Sequence, residues 1–242
     1  MAPNTLTLQS ISTWLQSGWK IFTQNRSAGI AYVLPLIVIG LIAEIILLTA
    51  GFGLVYFILA GGFLIIAPVL ATLYYRIAST SREEEFTVNL KSNSLPVLAI
   101  GIITVILYLI WVTDALILYT IYFGLDPVYL NEYLTNTQIR TNVNTFVAYT
   151  FLMGMIIATI AYFITVSSIP LALYKRAGFV DAVAFSIKGI GKNFSVMVVW
   201  AFILGAIQLF TLIFIIPLSA VVFPVLSYAN FAAFLDLSEK QS

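Results

Sequence analysis

The sequence predicts an all-α polytopic membrane protein with six transmembrane helices, and three observations support this. First, 61% of the 242 residues are hydrophobic and only 9% are charged, whereas about a quarter of the residues in a soluble domain are charged. Second, the apolar stretches can cross about 30 Å of hydrocarbon, which takes roughly 20 helical residues, and they lack the alternation of a β-barrel strand. Third, the basic residues cluster in the polar breaks that six spans leave on one side of the membrane.

The six-helix transmembrane domain is predicted over residues 28–236, between an amphipathic N-terminal segment, 1–27, and a short tail, 237–242. Its spans are expected at about 28–49, 54–78, 95–123, 145–173, 194–216 and 217–235. No charged residue separates the last two spans, so they could instead form a deep re-entrant hairpin. The N-terminal segment has no apolar core followed by a small-residue cleavage site, so we expect no cleavable signal peptide.

An amphipathic helix is expected over residues 6–25, before the first span. Leu8, Ile11, Leu15, Trp19 and Phe22 recur at helical spacing among polar residues. Such a helix either lies in the membrane surface or packs on the bundle as a cap, and both interpretations stay open here.

The basic residues predict the orientation. With six spans, ten of the eleven Lys and Arg residues fall on the side that holds both termini, and Arg140 alone falls on the other. The positive-inside rule then places both termini in the cytoplasm. One span more or fewer would scatter the basic residues over both faces.

The missing residue types exclude most catalytic chemistry. The chain has no cysteine and no histidine, which removes disulfides, thiolate nucleophiles, Ser-His-Asp triads, imidazole metal sites and His-ligated haem. We therefore expect no enzyme, no catalytic residues, no metal and no cofactor. A net charge of +1 argues against nucleic-acid binding, which needs a dense basic face.

A pattern occurs three times and suggests repeated helical hairpins. Each unit begins with a segment containing Lys and Asn: "GWKIFTQNRS", "VNLKSNSLP" and "IKGIGKNFS". Each ends in a span with Pro near its cytoplasmic end: "APVLATLYYR", "IPLALYKR" and "FPVLSYAN". Repeats of this kind are common in membrane bundles, although any helix that enters from the cytoplasm also needs a basic, capped start.

The stretches "GWKIF", "GGFLIIAPVLATLYYR", "SIPLALYKRAGFVDAVAFSIKGIGKN" and "FPVLSYANFAAFLDL" together resemble a family of bacterial integral membrane proteins, domain of unknown function 2189. The resemblance implies six helices in a bacterial inner membrane and no assigned activity. The hairpin plan is more distantly similar to the membrane domain of some glycerophosphodiester phosphodiesterases. Two positions depart from the family pattern: Arg26 stands where Pro is frequent, and "YKR" stands where acidic residues are frequent.

Three polar side chains inside the predicted spans form a candidate intramembrane site. Glu44 and Asp114 are the only carboxylates there, and each should face the bundle interior, reach the headgroup layer or hold a proton. Both are predicted in the outer half of the membrane, where they could share a proton or bind a cation, or each could reach the outer interface separately. Gln208 is expected to bridge helices through its amide.

A second candidate site is the basic cluster Lys175, Arg176, Lys188 and Lys192. Juxtamembrane cations attract anionic headgroups at roughly 1 kcal/mol per charge, so this cluster is a candidate contact for lipid or a partner. The nearby "GIGKN" lacks the spacing of a phosphate loop. Small residues four apart, as at Ala67 and Ala71, Gly154 and Ala158, and Ala201 and Gly205, favour close helix packing.

These observations favour a non-enzymatic protein of the bacterial inner membrane. It would act as an accessory, assembly or lipid-organising component, in contact with membrane lipids and, through its helices, with a second copy or a membrane-protein partner. The alternative is a small transporter or channel-like protein with its site near Glu44 and Asp114.

Overall fold

The computed structural model describes residues 6–80, 94–174 and 177–241, and the described residues form helices joined by short turns, with no strand. These described residues contain eleven α-helices: α1 (Leu8–Gln24), α2 (Arg26–Thr49), α3 (Gly53–Leu70), α4 (Thr72–Thr80), α5 (Ser94–Phe123), α6 (Leu130–Thr135), α7 (Thr137–Thr165), α8 (Ser168–Tyr174), α9 (Phe179–Lys192), α10 (Phe194–Phe214) and α11 (Ser219–Gln241). A 3₁₀ turn, Ile216–Leu218, joins α10 to α11.

Six helical segments of the described chain are long and apolar enough to cross a membrane. Their outer surfaces expose many large aliphatic and aromatic side chains, as expected where the solvent is lipid rather than water. The prediction of an all-α polytopic membrane protein is therefore confirmed.

Two predicted spans are interrupted where the sequence analysis expected continuous helices. The second span breaks at Ala71, between α3 and α4, three residues after Pro68. The fourth breaks at Val166 and Ser167, between α7 and α8, just before Pro170. Proline lacks an N–H and its ring crowds the carbonyl four residues earlier, which gives the break just before Pro170 a direct cause. The break at Ala71 follows Pro68, which itself lies inside α3, so the same effect does not explain it.

The fourth span also begins earlier than its apolar residues do. Helix α7 starts at Thr137 because the Asn136 side-chain oxygen accepts hydrogen bonds from the backbone N–H groups of Gln138 and Ile139, at 2.9 and 3.2 Å. The preceding polar loop contains α6. At the other end of the chain, α11 continues through most of the predicted tail.

Contacts between distant parts of the chain define the two ends of the bundle. At one end Trp14 Nε1 donates to Asp236 Oδ2 at 2.6 Å, and the Leu6 N–H donates to Asn193 Oδ1 at 3.2 Å. We call this the termini end, because it holds the first and last described residues. At the opposite end the Val128 N–H donates to the Gly51 carbonyl at 2.8 Å. Gly51 has φ +80°, which favours glycine.

Helix α11 is the central element at the termini end. Every residue from 226 to 235 is buried, although a helix at the edge of a bundle would bury only one stripe. Around it pack α1, α2, α4, α8 and α10. Tyr74 and Tyr75 of α4 and the first six residues of α8, Ser168 to Leu173, are buried there too. The core of the protein is therefore densest near the termini.

Two helix corners have the same geometry, as a hairpin repeat would produce. Asn25 joins α1 to α2 with φ −128° and ψ 37°, and Asn193 joins α9 to α10 with φ −123° and ψ 35°. Each Nδ2 donates to the carbonyl four residues earlier, Ile21 and Gly189, at 3.1 Å in both cases. This likeness supports the repeat for the first and third units. The start of the middle unit lies mostly outside the described residues.

Helix α1 is a cap that packs on the bundle, one of the two interpretations left open by the sequence. Its buried stripe consists of Ile11, Trp14, Gly18, Ile21 and Phe22, which face α11. Leu8 and Trp19 from the predicted stripe are instead exposed. Helix α1 thus also presents apolar side chains on the face that points away from the bundle.

The closest approach of α1 to α11 is at Gly18, and it gives a sharp prediction. A Cβ placed there would lie 2.5 Å from the Val225 carbonyl oxygen and 2.8 Å from the Ala229 nitrogen, which are backbone atoms that cannot turn aside. We expect Gly18→Ala to lower the free energy of unfolding by about 1–3 kcal/mol, as overpacking does. It should also loosen α1, measured as faster trypsin cleavage after Lys20.

The matched control is Gly191→Ala in α9, where an added Cβ meets no atom within 4 Å. This change should be neutral, or stabilising by about 0.5–1 kcal/mol, because alanine favours helix. Equal cleavage at Lys20 in both variants would contradict the packing of α1 on α11.

Candidate functional site

Asn230 is the centre of a buried hydrogen-bond network at the termini end. Its Nδ2 donates to the Tyr75 hydroxyl at 2.9 Å and to the Val166 carbonyl at 3.2 Å. Its Oδ1 accepts from Trp200 Nε1 at 3.2 Å. One amide thereby connects α11 with α4, with the break between α7 and α8, and with α10. We call these four residues the Asn230 hub.

The hub compensates for a proline. In a continuous helix the N–H of residue 170 would bond to the carbonyl of Val166, but Pro170 has no N–H. The Asn230 side chain supplies the missing donor. A buried carbonyl without a partner is costly, so the break between α7 and α8 depends on a side chain from another hairpin.

Tyrosine hydroxyls join helices elsewhere in the same way. Tyr74 donates to the Gly29 carbonyl at 3.0 Å, Tyr162 donates to the Met197 carbonyl at 3.0 Å, and Tyr174 donates to the Tyr75 carbonyl. Trp14 and Trp200 meet edge to face at 5.4 Å between ring centroids. These tyrosine hydroxyl groups form hydrogen bonds between helices and so stabilise the helix packing.

Asn230 and its partners are not among the candidate residues predicted from the sequence. The stretch "FPVLSYAN" stands out there only as the end of a repeat unit. A signal was present, since an Asn among the apolar residues "SYANFAAF" must find a partner when buried. The partners are 30, 64 and 155 residues away, so the sequence offers no local indication of them.

Gln208 lies in a second polar group, toward the opposite end of α10. It is buried, and its Nε2 contacts Thr211 Oγ1 at 3.5 Å, while Ser219 Oγ donates to the same oxygen at 3.2 Å. The Gln208 amide therefore contacts its own helix, and Ser219 makes the connection to α11. Nearby, the Tyr56 hydroxyl of α3 donates to the Leu212 carbonyl, one of the orphan carbonyls at the end of α10.

Glu44 lies near Tyr56 of α3. Its carboxyl is half-buried and lies within electrostatic range of the Tyr56 hydroxyl. Glu44 thus borders the contact between α3 and α10, which joins the first hairpin to the third.

Asp114 is half-buried on α5, and no hydrogen bond joins its side chain to the described residues. Helix α2, which carries Glu44, and helix α5 both pack on α3. No hydrogen bond links the two carboxyls. The described residues also contain no group of three acidic, His or Cys side chains that could hold a metal ion.

A double-variant experiment tests whether Glu44 and Asp114 act together. We expect Glu44→Gln and Asp114→Asn each to change the free energy of unfolding by less than about 1 kcal/mol, and the two effects to add, because no hydrogen bond joins the two side chains. The free energy of unfolding in mixed detergent is measured for the two single variants and for the double variant. A double variant that differs from the sum would show that the carboxyls share a proton or a cation.

The basic cluster is partly described. Lys188 and Lys192 are exposed on one face of α9, while Ala182, Ser186, Gly189 and Ile190 are buried on the other. The cluster's other two members, Lys175 and Arg176, lie outside the described residues. The exposed face of α9 also carries Val180 and Ile187, so cations and apolar side chains share it, as is typical of a helix in the headgroup layer.

Helix α1 presents a similar surface, with Lys20 and Trp19 exposed beside each other. We call the exposed faces of α1 and α9 the collar, with the described lysines Lys20, Lys188 and Lys192. Both helices bury their other faces against the bundle. The collar therefore lies around the core at the termini end.

The small-residue pairs have different surroundings. Gly154 receives the ring of Trp111, which would come within 2.6 Å of an added Cβ. At Gly205 an added Cβ meets no atom within 4 Å. Close packing at Gly154 is thus realised within the chain, while the space beside Gly205 is open.

Comparison with known proteins agrees with this architecture. Residues 55–173 match the family model described as predicted integral membrane protein, DUF2189. The match runs from α3 to the end of α8, just under half of the chain, and includes Tyr75, Val166 and Pro170 but not Asn230. The resemblance to this family is confirmed over that range. No curated protein and no solved structure gives a match.

Proposed function

We propose that this integral membrane protein is a non-enzymatic component of a bacterial inner membrane that organises anionic lipid at the cytoplasmic face. The collar is the observation that carries the proposal. It presents Lys20, Lys188 and Lys192 beside exposed apolar side chains such as Trp19, on helices anchored to the bundle by their opposite faces. Cations at the headgroup level attract anionic lipids, and aromatic side chains favour that depth.

The orientation in this proposal follows from charge. The termini end carries the three collar lysines together with Arg26 and Arg76. Arg140 lies near the start of α7, at the opposite end of the bundle. Anionic lipids give the cytoplasmic leaflet its negative surface potential. A basic collar would meet its lipid partners there.

The buried polar groups support a scaffolding role over a transport path. The Asn230 hub and the tyrosine hydroxyls bond to neighbouring helices, which fixes the helices relative to one another. A rigid core beneath a basic collar suits a protein that holds lipids, or a membrane partner, at a defined spacing. The outward helix surfaces supply the remaining area for such contacts.

The lipid selectivity of the reconstituted protein tests the proposal directly. The full chain, reconstituted in vesicles that mix phosphatidylglycerol and phosphatidylcholine, should enrich phosphatidylglycerol in the lipid that remains after mild-detergent extraction. A variant with Lys20, Lys188 and Lys192 all changed to Gln should lose most of this enrichment, since each cation contributes about 1 kcal/mol at low salt. The enrichment of the unchanged protein should also fall as salt rises.

The control is Arg140→Gln, which removes an exposed cation at the opposite end. It should leave the enrichment unchanged. Equal enrichment in the collar variant and in the unchanged protein would contradict the proposed role.

A further inference from the structure

An open groove of about 580 Å³ lies along α2 and α4 at the termini end. Its lining residues come from the corner before α2, from α2 and from α4: Asn25, Tyr32, Leu73, Arg76, Ile77 and Thr80. The four residues of α4 follow the spacing i, i+3, i+4, i+7, so they lie on one face of that helix.

The groove is placed at the depth of lipid headgroups. Asn25 stands at the corner that begins α2, and Thr80 ends α4. Tyr32 is seven residues along α2, which is about 10 Å at the helical rise. Because the headgroup layer on each side of the hydrocarbon is roughly 5–8 Å deep, the groove extends from that layer to the edge of the hydrocarbon.

Its walls combine a cation with apolar surface. Arg76 is exposed and forms no ion pair with the described residues, so its guanidinium is available to a phosphate, which it can bind through two N–H groups. Tyr32 is 48% exposed and its ring meets Tyr74 edge to face at 6.2 Å. Leu73 is 51% exposed on the same face of α4 as Arg76. The Arg76 cation matches the phosphate of a phospholipid, and the apolar surface at Leu73 matches its acyl chains.

We propose that this groove holds one anionic phospholipid, with the headgroup phosphate on Arg76 and an acyl chain along Leu73. Tyr32 bounds the site on the α2 side and offers its hydroxyl to the headgroup. The proposal extends the lipid role proposed above, but it depends on a discrete site and on none of the collar lysines.

Native mass spectrometry of the full chain tests the site, with phosphatidylglycerol as the probe. The unchanged protein should keep one phosphatidylglycerol at a detergent level that strips phosphatidylcholine. Arg76→Gln should weaken this retention by at least about tenfold, the loss expected for a charge-assisted hydrogen bond. Arg140→Gln, an identical change at the opposite end, should not. Tyr32→Phe, which removes only a hydroxyl, should weaken retention less than Arg76→Gln does.

The outcomes separate this site from the collar. Retention of the single lipid in the collar variant, with bulk enrichment lost, supports both proposals. Arg76-dependent retention without any bulk enrichment would leave the groove standing and overturn the proposed function. Equal retention by Arg76→Gln and the unchanged protein would overturn the groove. So would displacement of the lipid by glycerol 3-phosphate, which has no acyl chains. Thermal unfolding with phosphatidylcholine alone verifies that Arg76→Gln is folded.

Discussion

Replacing Trp111 by alanine is expected to lower the free energy of unfolding by about 3–5 kcal/mol, the usual cost of removing a large buried aromatic side chain. Trp111 is 3% exposed and lies on α5 between two glycines of neighbouring helices. Added Cβ atoms at Gly62 of α3 and Gly154 of α7 would come within 2.7 and 2.6 Å of its ring. The ring therefore fills the space where three helices meet.

Trp111 also makes a hydrogen bond, and a second variant separates the two contributions. Its Nε1 donates to the Ile58 carbonyl at 2.9 Å. Trp111→Phe keeps most of the ring but removes this donor, so it should cost less than Trp111→Ala. Helix association in membranes depends mainly on van der Waals packing, which is why we expect packing to dominate the difference.

Unfolding in mixed detergent, followed by circular dichroism, measures both variants. The control is Trp19→Ala on α1, the same change at a side chain that is 53% exposed. It should change the free energy of unfolding by less than about 1 kcal/mol. If Trp111→Ala and Trp19→Ala cost the same, Trp111 cannot be the packing centre of α3, α5 and α7.

The six spans could be predicted because they follow from the solvent. Every helix that crosses hydrocarbon needs about 20 apolar residues, whatever its neighbours are, so length and composition were enough. The prolines predicted less well where the helices break. Pro68 lies inside α3, and the break before Pro170 depends on the Asn230 side chain, a donor to the Val166 carbonyl that comes from elsewhere in the chain.

The buried stripe of α1 could be predicted only in part. The sequence predicted the stripe of Leu8, Ile11, Leu15, Trp19 and Phe22, whereas the stripe that faces the protein includes Trp14 and Gly18. Gly18 contributes no hydrophobic signal, yet it marks the closest contact with α11. The choice between stripes is made by the shape of the partner helix, which a single sequence does not show.

The lateral placement of the candidate site could not be predicted from the sequence. Counting residues along a helix predicts the height of Glu44 and Asp114 in the membrane, and that height stays a prediction. Which helices lie between them depends on packing, and both α2 and α5 pack on α3. For the same reason Glu44 is found beside Tyr56, a neighbour that no spacing rule would have selected.

Asn230→Leu is expected to destabilise the protein strongly, because it removes the centre of the hub while keeping a side chain of similar size. The change leaves the Trp200 N–H, the Val166 carbonyl and the Tyr75 hydroxyl without their Asn230 partner. An unsatisfied buried polar group costs about 1–3 kcal/mol, so we expect a loss of several kcal/mol in the free energy of unfolding. Asn144→Leu, at an exposed Asn near the opposite end, should cost much less.

Variants of the residues that bond to Asn230 show how much each hydrogen bond contributes to the free energy of unfolding. Tyr75→Phe and Trp200→Phe each remove one polar group that Asn230 satisfies, so each should reduce the additional cost of Asn230→Leu in a double-variant cycle. Asn230→Asp keeps an acceptor for Trp200 but, as a carboxylate, has no N–H for Val166 or Tyr75. Its loss of stability combines the two lost N–H donors with the cost of burying a carboxyl group, so the Tyr75→Phe and Trp200→Phe cycles are the ones that separate individual bonds.

The decisive combination is Asn230→Leu with Pro170→Ala. Alanine at 170 restores a backbone N–H, which can bond to the Val166 carbonyl if the break between α7 and α8 closes. We therefore expect Asn230→Leu to cost less in the Pro170→Ala background than alone, by about 1 kcal/mol for one recovered hydrogen bond. Purely additive losses would show that Asn230 does not replace the donor missing at Pro170. A smaller combined loss would establish that a proline in one hairpin and an asparagine in another stabilise the fold as a pair.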